Sequence, residues 1–382
     1  MNNRVQALTG LRAVAVTLVV LGHAEHTRAG GYTHGLAPLR LIADGRLGVL
    51  IFFVLSGFLI TRQLDDELAR SHRLRLGRFY AKRALRIWPA FYVYLLAIAA
   101  LAYAGWLDVT PRQLAYAALH LWNYAGLVGL AADNLRHPDG AWYLGHFWTL
   151  ALEEQFYWLW PLLLAGLYRR RGQRVLIVLV VLIVAVPLGR AATYFAAPAL
   201  RGQLGMMLHT GVDPILVGCW IALNAERLDA WIRAWPRRSR APTAIVLVLL
   251  VAMPIVEARL GGFWYATYGV TLEAGLAGLL IAVLIARPDF WFSRLLRTRA
   301  FGFVGTISFS LYLWQQLFMH PGGPATLPFP LGVAAALAAA ALSHACIETP
   351  FLRIKDRLSQ PAAARAAAAT AESLGPPLSP TE

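Results

Sequence analysis

Three groups of ionisable residues stand in stretches too apolar to tolerate them idly. In GLRAVAVTLVVLGH, Arg12 and His23 lie eleven residues apart. On a helix they are only about 20° apart in rotation and roughly 16 Å apart along the axis. Together they would wall an elongated molecule that enters at one end and reacts further up. The same two residues also read as a snorkelling arginine and an interfacial histidine.

RFYAKRALRIWPAFY places Arg83 and Arg86 three residues apart on one helix face, with Lys82 beside them. Paired guanidiniums clamp phosphate oxygens in bidentate fashion, so a nucleotide-bearing cofactor would suit them; a cationic anchor on lipid headgroups is the other reading. HFWTLALEEQFYWLWP buries two glutamates in an apolar helix, a placement that is costly unless they are paired, neutral or facing water. Glu153 shares a stripe with His146, Thr149, Tyr157 and Trp160; Glu154 shares one with Phe147, Leu150, Trp158 and Pro161. Glu153 is thus the one expected to face a polar interior, in a structural or a functional role. In GTISFSLYLWQQLF, Ser308, Tyr312 and Gln315 form a polar ribbon, which interhelical hydrogen bonding would also explain. Ser56 and Gly57 in FFVLSGFLIT read as small residues for close helix packing, with no chemistry of their own.

The elements that must position these groups are membrane helices. Of 382 residues, 58% are hydrophobic and only 14% charged, and the mean hydropathy is +0.54. A soluble domain is nearer a quarter charged, and thirteen Trp and fourteen Tyr suit the aromatic belts of bilayer interfaces. The expected fold is all-α, a polytopic membrane bundle of about ten transmembrane helices. They run near 8–24, 45–61, 87–104, 146–168, 175–189, 211–225, 243–257, 267–286, 302–319 and 331–347. With the N-terminus cytoplasmic, 27 of the 35 Lys and Arg fall on the inner side, a strong positive-inside bias. A further stretch, 113–130, would spoil that bias if it spanned. It is therefore expected to be re-entrant or interfacial and covered by protein.

The net charge of +15 is dispersed in short clusters between apolar runs, which argues against nucleic acid. Cys219 and Cys346 are isolated, so neither a disulfide framework nor a metal site is expected. Arg12 interrupts the first apolar run and Gly22-His23-Ala24-Glu25 is a poor cleavage site, so the segment reads as a mature helix and not as a cleaved signal. No repeat supports a transporter of two inverted halves. Residues 359–382 are rich in Ala and Pro and read as a disordered cytoplasmic tail behind a single 1–358 transmembrane domain.

These stretches, in this order and with the closing IETPFLRIK, resemble the membrane acyltransferase 3 family over about residues 7–358. The resemblance implies a ten-helix core, an acyl-CoA donor substrate, a hydroxyl acceptor and no permanently bound cofactor. The family's Arg, ten residues, His pattern falls on Arg12 and His23, its Arg-x-x-Arg on Arg83 and Arg86, and its acidic position on Glu153. Many members have a histidine after the Leu-Trp of the late helix; here Gln315 stands there, so that base is not required. Some members carry an additional extracytoplasmic hydrolase-like domain, and this chain is expected to acylate without it or with a separate partner.

The resulting expectation is a multi-pass O-acyltransferase of the bacterial cytoplasmic membrane, both termini inside, moving a short acyl group, acetyl first, to a glycan hydroxyl. Arg12, Arg83 and Arg86 would bind acyl-CoA. His23 would be general base, an imidazole of pKa near 6.5 being suited to proton removal at neutral pH. Glu153 would orient a His23 nitrogen or bind the acceptor, with His146, Tyr157, Tyr312 and Gln315 as acceptor contacts. A glycosylated metabolite such as a macrolide is the alternative acceptor; a transporter of acylated or anionic sugars and an inactive scaffold are the rival classes.

Overall fold

The computed structural model describes residues 3–27, 31–32, 36–41, 43–168 and 173–359. The tail beyond Ser359 and three of the basic loop residues, Arg169, Arg170 and Arg171, lie outside the described residues. The described chain is helical, with short 3-10 and π segments and no strand. Its main elements are α1 (Asn3–Ala24), α2 (Gly45–Ser71), α3 (Leu76–Tyr103), α4 (Pro111–Ala118), α5 (Phe147–Tyr168), α6 (Gln173–Ala196) and α7 (Asp213–Leu223). They continue with α8 (Ala241–Ala286), α9 (Arg299–Thr306), α10 (Ser308–Met319) and α11 (Leu331–Leu358).

Helix covers the greater part of all ten expected spans, but among the described residues six helices are long and apolar enough to cross a bilayer: α1, α2, α3, α6, α8 and α11. The count of ten is not reached on those criteria, for four local reasons. α5 is long enough at 22 residues, but Glu153, Glu154 and Gln155 keep it from being apolar enough. α8 joins two expected spans into one run that turns at Gly261, where φ is +64°. α7 has only eleven residues, most of them buried, so neighbouring helices rather than lipid surround it. The expected 302–319 span breaks at Ile307; the Thr306 hydroxyl bonds back to Gly302 O at 2.8 Å, a bond that bends helices.

α1, α2 and α7 form the centre. Gly57 and Gly218 let α2 and α7 touch backbone to backbone: a Cβ on Gly57 would stand 1.9 Å from Ile215 O, and one on Gly218 2.1 Å from Val54 O. Outside this core, α6 exposes Ile177, Val180, Val181, Val184 and Leu188, a continuous aliphatic face that calls for lipid.

One polar knot ties α6, α7 and α8. Arg190 is wholly buried; it grips Asp213 through both terminal nitrogens at 2.7 and 3.1 Å. It also donates to Thr210 O, Ala266 O and Thr267 O. By apolar run length Arg190 reads as a loop residue; it sits inside α6 because a satisfied guanidinium no longer ends a helix at that depth.

Segment 113–130 does not span. α4 ends after eight residues, behind a Thr110–Gln113 capping box, and the chain turns at His120, whose φ is +53°. His120 stacks on Phe91 at 4.5 Å, and burial there pushes its imidazole down to about 4. Asn123 bonds Gln155 of α5 at 2.9 Å. Protein covers the segment on that side, as a non-spanning piece requires.

Candidate active site

Two of the cavities between these helices hold most of the residues singled out above. The smaller, about 380 Å³, lies beside the N-terminal half of α1, the middle of α2 and the start of α3. Arg12, Arg83, Arg86, Glu153, Ser56 and Ser308 all face it. The larger, about 700 Å³, lies by the other end of α1 and takes His23, His26, His146, Trp122 and Gln316 into its wall. Val49 of α2 and Tyr312 of α10 line both.

The arginine cavity brings together every residue whose spacing suggested phosphate binding. α3 supplies Arg83 and Arg86 one turn apart, and α1 supplies Arg12 from across the cavity. Arg83 lies over the Tyr157 ring at 3.6 Å and 3.9 Å from Glu153. Its Nε is buried without a hydrogen-bond partner. The Ser56 hydroxyl donates to Glu153 Oε1 at 2.7 Å. Three guanidiniums against one carboxylate leave the cavity net positive, the charge an anionic ligand needs. Glu154 falls on the opposite flank of α5, beside Trp88 and Tyr80, as the two stripes required.

The histidine cavity holds a relay. His146 Nδ1 bonds Gln316 Oε1, and Gln316 Nε2 lies 3.3 Å from His23 Nε2. With His146 as donor to the amide oxygen, the amide N–H points at His23, whose Nε2 is then the unprotonated nitrogen. Trp142 packs edge-on against the His23 ring at 5.8 Å. Tyr312 is fixed between the cavities: its hydroxyl donates to His146 O at 3.1 Å and pairs with Thr149 Oγ1 at 2.7 Å.

Several placements differ from the sequence reading. Glu153 bonds Ser56 and faces Arg83, in the arginine cavity and not against His23; Gln316 Nε2 lies 3.3 Å from His23 Nε2. Gln315 is buried within reach of the His23 ring and lines neither cavity. Tyr157 serves as a platform for Arg83 and faces neither cavity. Ser56, read as packing only, is a hydrogen-bond partner of Glu153. Gln316 was adjacent to the predicted ribbon, and the second amide of the Gln-Gln pair was its only signal. Among the described residues no group of His, Cys, Asp or Glu could hold a metal ion.

Comparison with known proteins comes to the same stretches. The family described as an acyltransferase domain matches residues 5–347. The peptidoglycan O-acetyltransferase OatA of Listeria monocytogenes is 27% identical over 91% of this chain and 56% of its own length. The O-acetyltransferase OatA of Staphylococcus aureus is 25% identical over 81% of this chain and 49% of its own. The chain thus spans about half the length of these relatives. No solved structure matches.

Proposed function

The chain belongs to this acyltransferase family, and from that premise we propose that it is a membrane O-acetyltransferase that moves an acetyl group from acetyl-CoA to a hydroxyl of a glycan. The supporting observation is the pair of cavities, one cationic and one holding an imidazole, that share Val49 and Tyr312 as lining. The donor's phosphates lie against Arg83 and Arg86, and the pantetheine arm runs past Arg12 to the Tyr312 neck. The acceptor occupies the histidine cavity. His23 Nε2, released from the 3.3 Å contact with the Gln316 amide, takes the hydroxyl proton as that oxygen bonds to the thioester carbon; the carbon–sulfur bond then breaks, and the thiolate recovers the proton. Glu153, held by Ser56, keeps Arg83 facing the cavity. The peptidoglycan O-acetyltransferase relatives make a cell-wall glycan the first acceptor to try. The positive-inside bias of the basic loops supports an arginine cavity on the cytoplasmic side, where acyl-CoA is found, with both termini inside.

The test is His23→Ala in purified, correctly inserted protein, followed by free thiol release from acetyl-CoA and by the acetyl mass gained on the glycan. Transfer should fall at least about 100-fold while acetyl-CoA binding persists. Transfer at the wild-type rate would refute the assignment.

A further inference from the structure

Across the larger cavity from His23 lies a second charged group that the reaction above does not use. Arg46, one residue past the start of α2, points its guanidinium at Glu257 of α8, with 2.5 Å between Nη2 and Oε1. Both line the cavity. The Glu257 side chain is 4% exposed and that of Arg46 58%, so the carboxylate is held inside while the guanidinium is open to the chamber. Asp44 caps α2 with Oδ1, accepting from Arg46 N at 2.9 Å and Leu47 N at 3.1 Å. Arg40, the other arginine in the wall, is paired with Glu25.

The two chambers therefore differ in charge. The arginine cavity carries three guanidiniums against Glu153. The histidine cavity carries Arg40 and Arg46 against Asp44 and Glu257, with Glu25 behind Arg40, so its guanidiniums do not outnumber its carboxylates; the planar side chains of Trp122, Asn123, Asn134 and Gln203 complete the wall. A chamber with no excess of positive charge gives no net attraction to an anion. Neighbouring strong donors and acceptors suit a group that gives and takes hydrogen bonds at adjacent positions, as vicinal sugar hydroxyls do.

We propose that the Arg46–Glu257 pair grips vicinal hydroxyls of the acceptor, and that its chamber, with no excess of positive charge, selects a neutral sugar over an acidic one. This rests on the acetyl-transfer reading and adds to it the acceptor's charge class and the residues that hold it. Arg46 donates to one hydroxyl oxygen and Glu257 accepts from the next. The sugar is thereby held across the cavity from His23, with a further hydroxyl free to reach the imidazole.

The experiment measures kcat/KM for three acceptors of one ring size: an N-acetylhexosaminide, a uronic acid glycoside and a glycoside with a free amine. The wild type should favour the neutral sugar over the acidic one by about tenfold or more. Glu257→Gln removes one negative charge from the chamber and should shift the acid-to-neutral ratio toward the acid roughly tenfold. Arg46→Gln removes one positive charge and should shift the amine-to-neutral ratio toward the amine by a similar factor. These ratios are taken within one preparation and do not depend on how much of a variant folds. Equal use of the acid and the neutral sugar by the wild type would overturn the proposal, as would unmoved ratios in both variants. Donor binding separates the two levels of inference: protein that binds acetyl-CoA and acylates a glycan without these preferences sinks only the grip. Failure of the wild type to acylate any of the three sinks the acetyl-transfer reading with it.

Discussion

Arg83 is the residue at which phosphate binding and helix packing can be measured apart. Its guanidinium has one aromatic platform, Tyr157, one distant carboxylate, Glu153, and a buried Nε with no partner. Arg83→Gln keeps much of the volume and removes the cation. A hydrogen bond to a charged group contributes about 1.5–3 kcal/mol, so the Kd for acetyl-CoA should rise roughly 10- to 150-fold. The same substitution takes away Glu153's charged neighbour. Breaking a fully buried pair costs about 3–5 kcal/mol. Here the arginine side chain is 20% exposed, the separation is 3.9 Å, and Ser56 still donates to the carboxylate. A loss of about 1–2 kcal/mol is the expected share. Calorimetric titration of detergent-solubilised protein with acetyl-CoA and with S-acetylpantetheine, which lacks every phosphate, resolves the two effects. Affinity for acetyl-CoA should drop and that for the pantetheine thioester should hold. Thermal unfolding should show the stability loss in Arg83→Gln and most of it regained in Arg83→Gln with Glu153→Gln. Equal weakening for both thioesters would refute phosphate recognition by Arg83 and return it to a packing role.

Two further outcomes are expected. Arg190→Leu strands Asp213 in the core and should destabilise the bundle by about 3–5 kcal/mol, with much of that recovered in Arg190→Leu with Asp213→Leu; thermal unfolding in detergent measures both. Gln316→Leu removes the link between His146 and His23 and lets the imidazole turn. It should lower kcat by about ten- to a hundredfold with KM for acetyl-CoA unchanged, which steady-state kinetics at saturating acceptor would show.

The arginine cavity was legible in the sequence because of a cost. Charged groups inside an apolar helix must face protein or water, so Arg12, Arg83, Arg86 and Glu153 had few places to point. Helical spacing then set which of two adjacent glutamates turned inward, and α5 follows it. What spacing leaves open is how each helix is rotated against its neighbours. From Ser308, ideal geometry puts Tyr312 about 40° round the helix, Gln315 about −20° and Gln316 about 80°. A ribbon centred on Ser308 selects Gln315; one centred on Tyr312 selects Gln316. The packing of α10 against α1 and α5 centres the cavity on Tyr312, and so it is Gln316 that meets His23. Arg46 and Glu257 were illegible for a different reason. Each lies in or near an expected span end, where a charged side chain normally meets water and carries no information. Only the seating of α8 beside the start of α2 turns two such charges into one pair inside a cavity. Arg190 shows the converse: a charge at an expected span end that the fold draws inside, because Asp213 and three backbone carbonyls wait for it there. Paired polar groups in a membrane bundle are therefore hidden from apolar run lengths whenever both partners lie on different helices, and it is these pairs that shape the acceptor chamber.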